Sequence, residues 1–186
     1  KVEESLSRLE TYCASENYMG YDPYDGLNSS LFRAIPLLNR QPIARLAWIQ
    51  LFKRLPVNLR PVTGVRKDYN PKALGLFLSG YCSLYSLRKD PKYLSRIDFF
   101  ADKIVSLASK GWSGACWGYN FDWQAKAFFQ PKFTPTVVAT TFIGSSLLDA
   151  YEITGEKDLL NHVRSSCDFI LKDLNRNYDE KGNFAF

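Results

Sequence analysis

A helical hairpin that recurs at a fixed spacing is the sequence feature that most constrains this fold. Residues 71–106 overlay residues 137–172 at a shift of 66, and apolar positions fall on apolar positions along both segments. Within each segment, apolar residues spaced three and four apart predict two amphipathic helices. Only three or four polar residues separate the two helices, so the pair must run antiparallel. The repeat therefore predicts an all-α chain built from helical hairpins.

Proline marks the expected starts of several helices. Asn70-Pro71, Asp90-Pro91 and Thr134-Pro135 each place a side-chain acceptor before a residue whose missing N–H costs nothing at the first helical position. No alternating pattern of useful length predicts a strand. Further helices are predicted over about 42–55, 91–108 and 156–176, with a shorter one near Leu6–Cys13.

A hairpin repeated at this long period cannot bury its apolar face alone, so neighbouring hairpins must stack. Solenoids and closed α/α toroids both satisfy this requirement. The long aromatic linker between the repeats favours the toroid, in which such loops line one mouth. About three hairpins are visible, half of a six-hairpin ring. We therefore expect residues 1–186 to be a single domain, a partial (α/α)6-type toroid. We expect it to be an N-terminal or incomplete portion of a longer chain, or to self-associate through its open edge.

Composition disfavours several classes of function. The four cysteines show no CxxC spacing and the chain has one histidine, so no metal site and no cofactor are predicted. Three of the cysteines lie in or beside apolar helical patterns, which is typical of structural free thiols in a reducing, cytoplasmic setting. No apolar run reaches the roughly 18–20 residues of a membrane span.

The charge is small in total but uneven along the chain. A net charge of +5 does not by itself predict nucleic-acid binding, and we expect none. From Arg40 to Lys72, however, eight basic residues accompany one acid, Asp68. Two interpretations stay open for this stretch, a solvated face or a local field that attracts an anionic ligand.

The linker from Gly111 to Pro131 is the first candidate site. Aromatic faces beside amide and carboxylate groups suit a sugar ring, which has an apolar C–H face and a rim of hydroxyls. The alternative is a hydrophobic plug that seals the end of the helical barrel. If the linker is a sugar site, its candidate residues are Asp122 for catalysis and Trp112, Trp117, Tyr119, Asn120, Trp123 and Gln124 for substrate binding.

A second cluster, with aromatic and acidic residues on turn-forming sequence, spans residues 18–27. A pure turn explains much of it. Glycoside hydrolysis, however, needs two carboxylates from separate loops, about 5–10 Å apart. Asp122 as the acid/base, with Asp25 or Asp22 as its partner, is the pair to test. Tyr21 and Tyr24 are candidate binding residues of this cluster, and Arg60, in an extended loop before proline, is a candidate for a substrate carboxylate.

Four segments together resemble a known family. They are Tyr21–Leu27 (YDPYDGL), Asn58–Pro61 (NLRP), Asn70–Leu74 (NPKAL) and Trp117–Gln124 (WGYNFDWQ). The family comprises prokaryotic six-hairpin, α/α-toroid proteins associated with surface-polysaccharide biosynthesis, some of which carry the label delta-aminolevulinic acid dehydratase. The resemblance implies a glycosidase-like or epimerase-like toroid with aromatic loops at its mouth. True dehydratase chemistry is not predicted, because that enzyme is an α/β barrel and this sequence lacks an alternating βα pattern.

The residues and the resemblance together predict a carbohydrate-active protein of polysaccharide metabolism. Its partner would be an oligo- or polysaccharide. If the basic residues from Arg40 to Lys72 contact this glycan, it would be anionic. The predicted reaction is that of a glycoside hydrolase, lyase or epimerase. The alternative from another class is a non-catalytic helical scaffold or glycan-binding module of a polysaccharide biosynthesis complex.

Overall fold

A computed structural model describes residues 1–175, 177–182 and 184–185. Over these residues the predicted all-α class is confirmed, and strands are confined to two-residue antiparallel pairs. Closure into a six-hairpin toroid stays a prediction. The elements are α1 (Val2–Ser15), a 3₁₀ helix (Asp25–Asn28), α2 (Ser30–Arg33), α3 (Pro36–Arg40), α4 (Pro42–Arg54), α5 (Pro71–Arg88), α6 (Lys92–Ser106), β1 (Trp123–Gln124), β2 (Phe129–Gln130), α7 (Val137–Thr154), α8 (Lys157–Lys172), β3 (Asn177–Tyr178) and β4 (Phe184–Ala185).

The chain divides into two compact units, each built from two stretches of sequence. Unit 1 contains residues 1–70 and 119–134, and unit 2 contains residues 71–118 and 135–186. The chain passes from one unit to the other within the linker that the sequence marked as a candidate site. The single domain expected over the whole chain stays a prediction.

Unit 2 contains the predicted repeat. The hairpin α5–α6 and the hairpin α7–α8 have connections of only a few residues, and α5 and α7 begin 66 residues apart, as predicted. α5 packs against α7. Leu78 and Ile143 are fully buried in these two helices. Phe100 of α6 stacks on Phe77 and Tyr81 of α5, so each amphipathic helix covers an apolar one.

The predicted start of α6 follows the expected capping chemistry, since Asp90 Oδ1 accepts a hydrogen bond of 3.0 Å from the Lys92 N–H. The predicted start of α7 at Thr134-Pro135 is wrong by two residues. α7 begins at Val137 because Thr136 caps it, its hydroxyl accepting from the Ala139 N–H at 3.1 Å. Thr134 is the capping residue that the sequence predicts, and Thr136, two positions later, caps the helix instead.

Two other expectations differ from the structure. The last helix, expected to continue to about residue 176, ends at Lys172, and Arg176 lies outside the described residues. Short β-pairs occur where no strand was predicted, because two-residue strands are too short to produce an alternating pattern.

The cysteines are free, as predicted, but they differ in exposure. Cys82 and Cys116 are buried, and burial raises the pKa of the Cys82 thiol to about 12 and that of Cys116 to about 11. Cys167 is exposed, although its repeat equivalent, Ala101, is buried. The reason is that α6 packs against both α5 and α7, whereas α8 packs chiefly against α7.

Unit 1 is organised around α4. Leu27, Phe32 and Ile49 form its buried core, and Tyr24, Trp48 and Trp123 pack against it. No helix among the described residues is both long enough and apolar enough to cross a bilayer. A cytoplasmic location and self-association stay predictions.

Lys89 and Gly155 occupy equivalent positions at the ends of α5 and α7, and both have left-handed backbones, with φ of 53° and 74°. Each N–H donates to a carbonyl four residues earlier, of Tyr85 and Tyr151, at 2.8 Å. This closes the helix in the way that glycine favours. A residue with a Cβ atom costs roughly 1–2 kcal/mol in this conformation.

We therefore expect Lys89→Gly to raise the free energy of unfolding by about 0.5–1 kcal/mol, part of the relieved strain being offset by the greater freedom of glycine in the unfolded chain. The matched variant Gly155→Ala is expected to lower it by about 1 kcal/mol. Urea denaturation measures both, and a Lys89→Gly variant less stable than the parent would contradict this account.

Candidate functional site

Unit 1 brings together the two segments that the sequence marked as candidate sites. The Asn28 side-chain amide donates to the backbone carbonyl of Asn120 at 3.0 Å. The rings of Tyr24 and Trp123 meet edge to face, with centroids 6.1 Å apart. Residues 18–28 and 119–134 are therefore neighbours in space, although about ninety positions separate them in sequence.

A buried ion pair holds the first of these segments in place. Arg60 Nε donates to Asp25 Oδ1 at 2.7 Å, and Arg60 Nη2 donates to the carbonyl of Asp22 at 2.7 Å. The second carboxylate oxygen of Asp25 accepts from the Asp22 N–H at 3.0 Å. Asp25 is only 4% exposed, so its charge is compensated almost entirely inside the protein. Arg60, predicted to meet a substrate carboxylate, here meets one from its own chain.

Asp22 is half-buried and differs from Asp25 in its partners. Its carboxylate accepts from the Tyr24 N–H at 2.9 Å and from the Asn70 side-chain amide at 3.1 Å. Burial raises the pKa of the Asp22 carboxyl, against the lowering effects of these two hydrogen bonds and of the charge of Arg60. Burial also raises the pKa of Asp25, opposed by its hydrogen bonds to Asp22 and Arg60.

A cavity of about 250 Å³ opens beside Asp22. It combines a carboxyl group, two cations and two aromatic rings. The guanidinium of Arg60 and the ammonium of Lys67 lie 5.6 Å and 5.9 Å from the centre of the Tyr21 ring. Lys53 Nζ donates to the Tyr24 hydroxyl at 2.9 Å. The lining residues are Tyr21, Asp22, Pro23, Phe52, Lys53 and Arg60, and this set is called the Tyr21 cavity below.

Asp122 is held by a different cation. Its Oδ2 lies 3.2 Å from Arg33 Nη2, and its Oδ1 accepts from the Lys132 N–H at 2.8 Å. Arg33 also donates through Nε to the carbonyl of Leu27 at 2.9 Å, at the end of the 3₁₀ helix. Asp122 is not among the residues that line the Tyr21 cavity. Of the predicted acidic residues, Asp22 and Asp25 are linked by the bond from the Asp22 backbone N–H to the Asp25 carboxylate, and Asp122 braces the neighbouring segment.

The two predicted amide residues of segment 119–134, Gln124 and Asn120, differ in their hydrogen bonding. Gln124 is buried and satisfied, since its Oε1 accepts from Arg45 Nε at 2.8 Å and its Nε2 donates to two backbone carbonyls. Asn120 is also buried, but its side-chain oxygen has no hydrogen-bond partner among the residues that the structure describes. An acceptor in this state costs free energy unless a donor from water or a ligand reaches it.

The aromatic residues predicted to bind substrate are divided between the two units. Tyr119 stacks on Phe121 at 5.4 Å in unit 1, and burial together with the charge of Asp22 raises the pKa of its hydroxyl. Trp112 is partly exposed in unit 2, edge-on to Phe169 at 5.6 Å. Trp117 is fully buried in the same unit, and its indole N–H donates to the carbonyl of Ile104 at 2.8 Å. Trp117 is therefore a core residue of unit 2, with no exposed ring face for a sugar.

Sequence reasoning did not propose Phe52 and Lys53 as site residues. Both lie in the last turn of α4, where Phe52 reads as a core position and Lys53 as one of several cations. The one available signal was the basic stretch itself. Across the described residues, no group of three or more His, Cys, Asp or Glu side chains could hold a metal ion.

Comparison of the chain with protein-family models, curated proteins and solved structures finds no match. The family resemblance therefore stays a prediction.

We expect Arg60→Ala to lower the free energy of unfolding by about 3–5 kcal/mol, because it leaves the carboxylate of Asp25 buried without its cation. Replacing both members, as Arg60→Met with Asp25→Leu, is expected to cost much less. The control is Arg33→Ala, which breaks the exposed pair with Asp122 and is expected to cost about 0–1 kcal/mol. Equal losses for Arg60→Ala and Arg33→Ala in chemical denaturation would refute the special status of the buried pair.

The raised pKa of Asp22 predicts a pH dependence of stability. Because the folded state binds this proton more tightly than the unfolded chain, the contribution is complete below the ordinary aspartate value of about 3.9 and is lost as the pH rises through the folded-state pKa. Carbon-detected NMR titration should therefore place the Asp22 midpoint above about 3.9. Asp22→Asn should remove this component from the pH–stability profile. A midpoint below the ordinary value would show that its hydrogen bonds outweigh burial.

Proposed function

We propose that this chain binds an anionic saccharide in the Tyr21 cavity and that the carboxyl group of Asp22 acts on it as acid or base. The observation that carries the proposal is the composition of the cavity, in which aromatic rings, cations and one half-buried carboxyl group lie together. The reaction would be that of a lyase or epimerase in polysaccharide metabolism; that of a hydrolase would need a second carboxylate, for which Asp122 is the remaining candidate.

The aromatic side chains account for the sugar ring. Tyr21 and Phe52 both line the cavity, and apolar C–H faces of pyranose rings pack on such surfaces. The volume of about 250 Å³ suits one sugar residue better than a long chain, so we expect a single ring to enter while the remainder of a glycan stays outside.

The cations account for the negative charge. Lys53 is exposed and lies at the cavity, where its ammonium can reach a ligand carboxylate. Arg60 already donates to Asp25 and Asp22, so its part is to add positive electrostatic potential to the cavity and to hold the shape of the cavity wall. An acidic sugar therefore fits the cavity better than a neutral one.

The catalytic part of the proposal depends on Asp22. A carboxyl group with a raised pKa keeps its proton at a higher pH than an ordinary aspartate, which is the property of a general acid. Asp25 lies beside it but is buried against Arg60, and its role is to position Asp22.

The binding test uses trigalacturonate as the acidic probe and cellotriose as the neutral one, in isothermal titration calorimetry. Lys53→Gln is expected to weaken trigalacturonate binding about tenfold, since it removes one charge-assisted contact. Lys126→Gln is the matched control, an exposed lysine of unit 1 outside the cavity, and should change nothing. Equal affinity for both trisaccharides, or an unchanged Lys53→Gln variant, would count against the site.

Turnover separates the enzyme from the glycan-binding module. If the protein is an enzyme, Asp22→Asn should retain trigalacturonate binding while product release, followed by chromatography, stops. If the parent protein binds acidic oligosaccharides and releases no product, the module is the correct function.

A further inference from the structure

Helix α4 is apolar on two opposite faces. Ile49 and Phe52 point into the core of unit 1 and are buried. Ile43, Ala47 and Leu51 follow one another at intervals of four residues, so they form one stripe along the helix. That stripe is exposed, with Ile43 83% and Leu51 41% accessible. A helix that only closes the core of its own unit needs no second apolar face.

Exposed apolar residues also lie directly before and after α4 in the chain. In α3, directly before it, Leu37 is 72% accessible and Leu38 is also exposed. Leu55 follows α4 and is exposed as well. These six residues, with Arg40 and Arg54, are called the α3–α4 surface below. Its members are Leu37, Leu38, Arg40, Ile43, Ala47, Leu51, Arg54 and Leu55.

The same part of the chain carries charge of one sign. Residues 26–67 contain eight basic residues and no acidic one. Acids from elsewhere pair with some of these cations, as Asp25 does with Arg60 and Asp122 with Arg33. Arg40 at the end of α3 and Arg54 at the end of α4 are both exposed, with no acidic residue near them in sequence. Arg54 is eleven residues after Ile43, which brings it to nearly the same side of α4.

We propose that the α3–α4 surface docks this protein on an anionic lipid bilayer. Exposed leucine and isoleucine side chains would enter the boundary between head groups and acyl chains, with α3 and α4 lying along the membrane plane. The arginines would meet lipid phosphates at the depth where head groups lie. Apolar side chains surrounded by cations of one sign are the combination that such a surface requires.

Charge complementarity favours a lipid surface over the other occupants. In a two-fold dimer the same surface faces itself, so Arg40 and Arg54 of one copy would face like charges of the other. Nucleic acid would satisfy the arginines through its phosphates, but it offers no partner for an aliphatic stripe. An anionic bilayer offers both negative charge and an apolar interior.

The experiment uses the full chain and sedimentation with vesicles of phosphatidylcholine, with or without phosphatidylglycerol. We expect binding to the anionic vesicles, little binding to pure phosphatidylcholine, and weakening as salt rises. The double variant Ile43→Ser/Leu51→Ser should bind anionic vesicles at least about tenfold more weakly. Its matched control, Leu76→Ser/Leu87→Ser, replaces two exposed leucines of α5 and should bind as the parent does. Circular dichroism of each variant checks that the helices persist.

Three results would overturn the proposal. One is binding of equal strength to both vesicle types that does not depend on salt, or no binding to either type. Another is a concentration-dependent dimer in light scattering that disappears in Ile43→Ser/Leu51→Ser, which would identify a second copy as the occupant. The third is binding of duplex RNA, undiminished in that variant, together with no binding of anionic vesicles. None of these outcomes bears on trigalacturonate binding in the Tyr21 cavity, so the two proposals fail separately.

Discussion

The buried pair of Asp25 and Arg60 is the interaction on which the arrangement of unit 1 depends. A carboxylate removed from water costs several kcal/mol unless a cation and further donors replace the lost hydration. Asp25 receives both, from Arg60 Nε at 2.7 Å and from the Asp22 N–H at 3.0 Å. Arg60 also holds the Asp22 carbonyl, so one guanidinium fixes the whole turn. The Tyr21 cavity exists where this turn meets the end of α4, and its shape follows from that constraint.

The basic stretch serves two physical purposes, which explains why its sequence supported two interpretations. Arg60 and Lys67 each pair with an acid distant in sequence, and these pairs tie the segments of unit 1 together. Arg40 and Arg54 are exposed, at the ends of α3 and α4. A cation that braces the fold and a cation that faces a partner look alike in sequence, because their difference lies only in where the acids end up.

The helices could be predicted because a helix with one buried face has apolar residues three and four positions apart. The 66-residue repeat shows this pattern in both of its copies. The site could be predicted only in part. That residues 21–25 belong to it followed from their composition, but the contribution of Phe52 and Lys53 did not. Trp117 and Tyr119 are two positions apart and yet lie in different units, one wholly buried and one not. Nothing local in the sequence distinguishes them, because tertiary packing decides which aromatic ring enters a core.

Asp22 and Asp25 show why acidic residue type and spacing are not enough to assign a catalytic role. A turn at Pro23 and Tyr24, directly before the 3₁₀ helix, separates them, so that the Asp25 N–H donates to the Asp22 carbonyl and the two side chains have different partners. If Asp25 took up or released a proton, it would have to separate from Arg60, and the guanidinium of Arg60 would be left buried without a partner. Asp22 lines the cavity, and among the described residues its carboxylate is held by the Tyr24 N–H and the Asn70 amide and by no ion pair, so its protonation leaves the pair of Asp25 and Arg60 intact. Of these two carboxylates, Asp22 is therefore the one that can change its protonation state without breaking the buried ion pair.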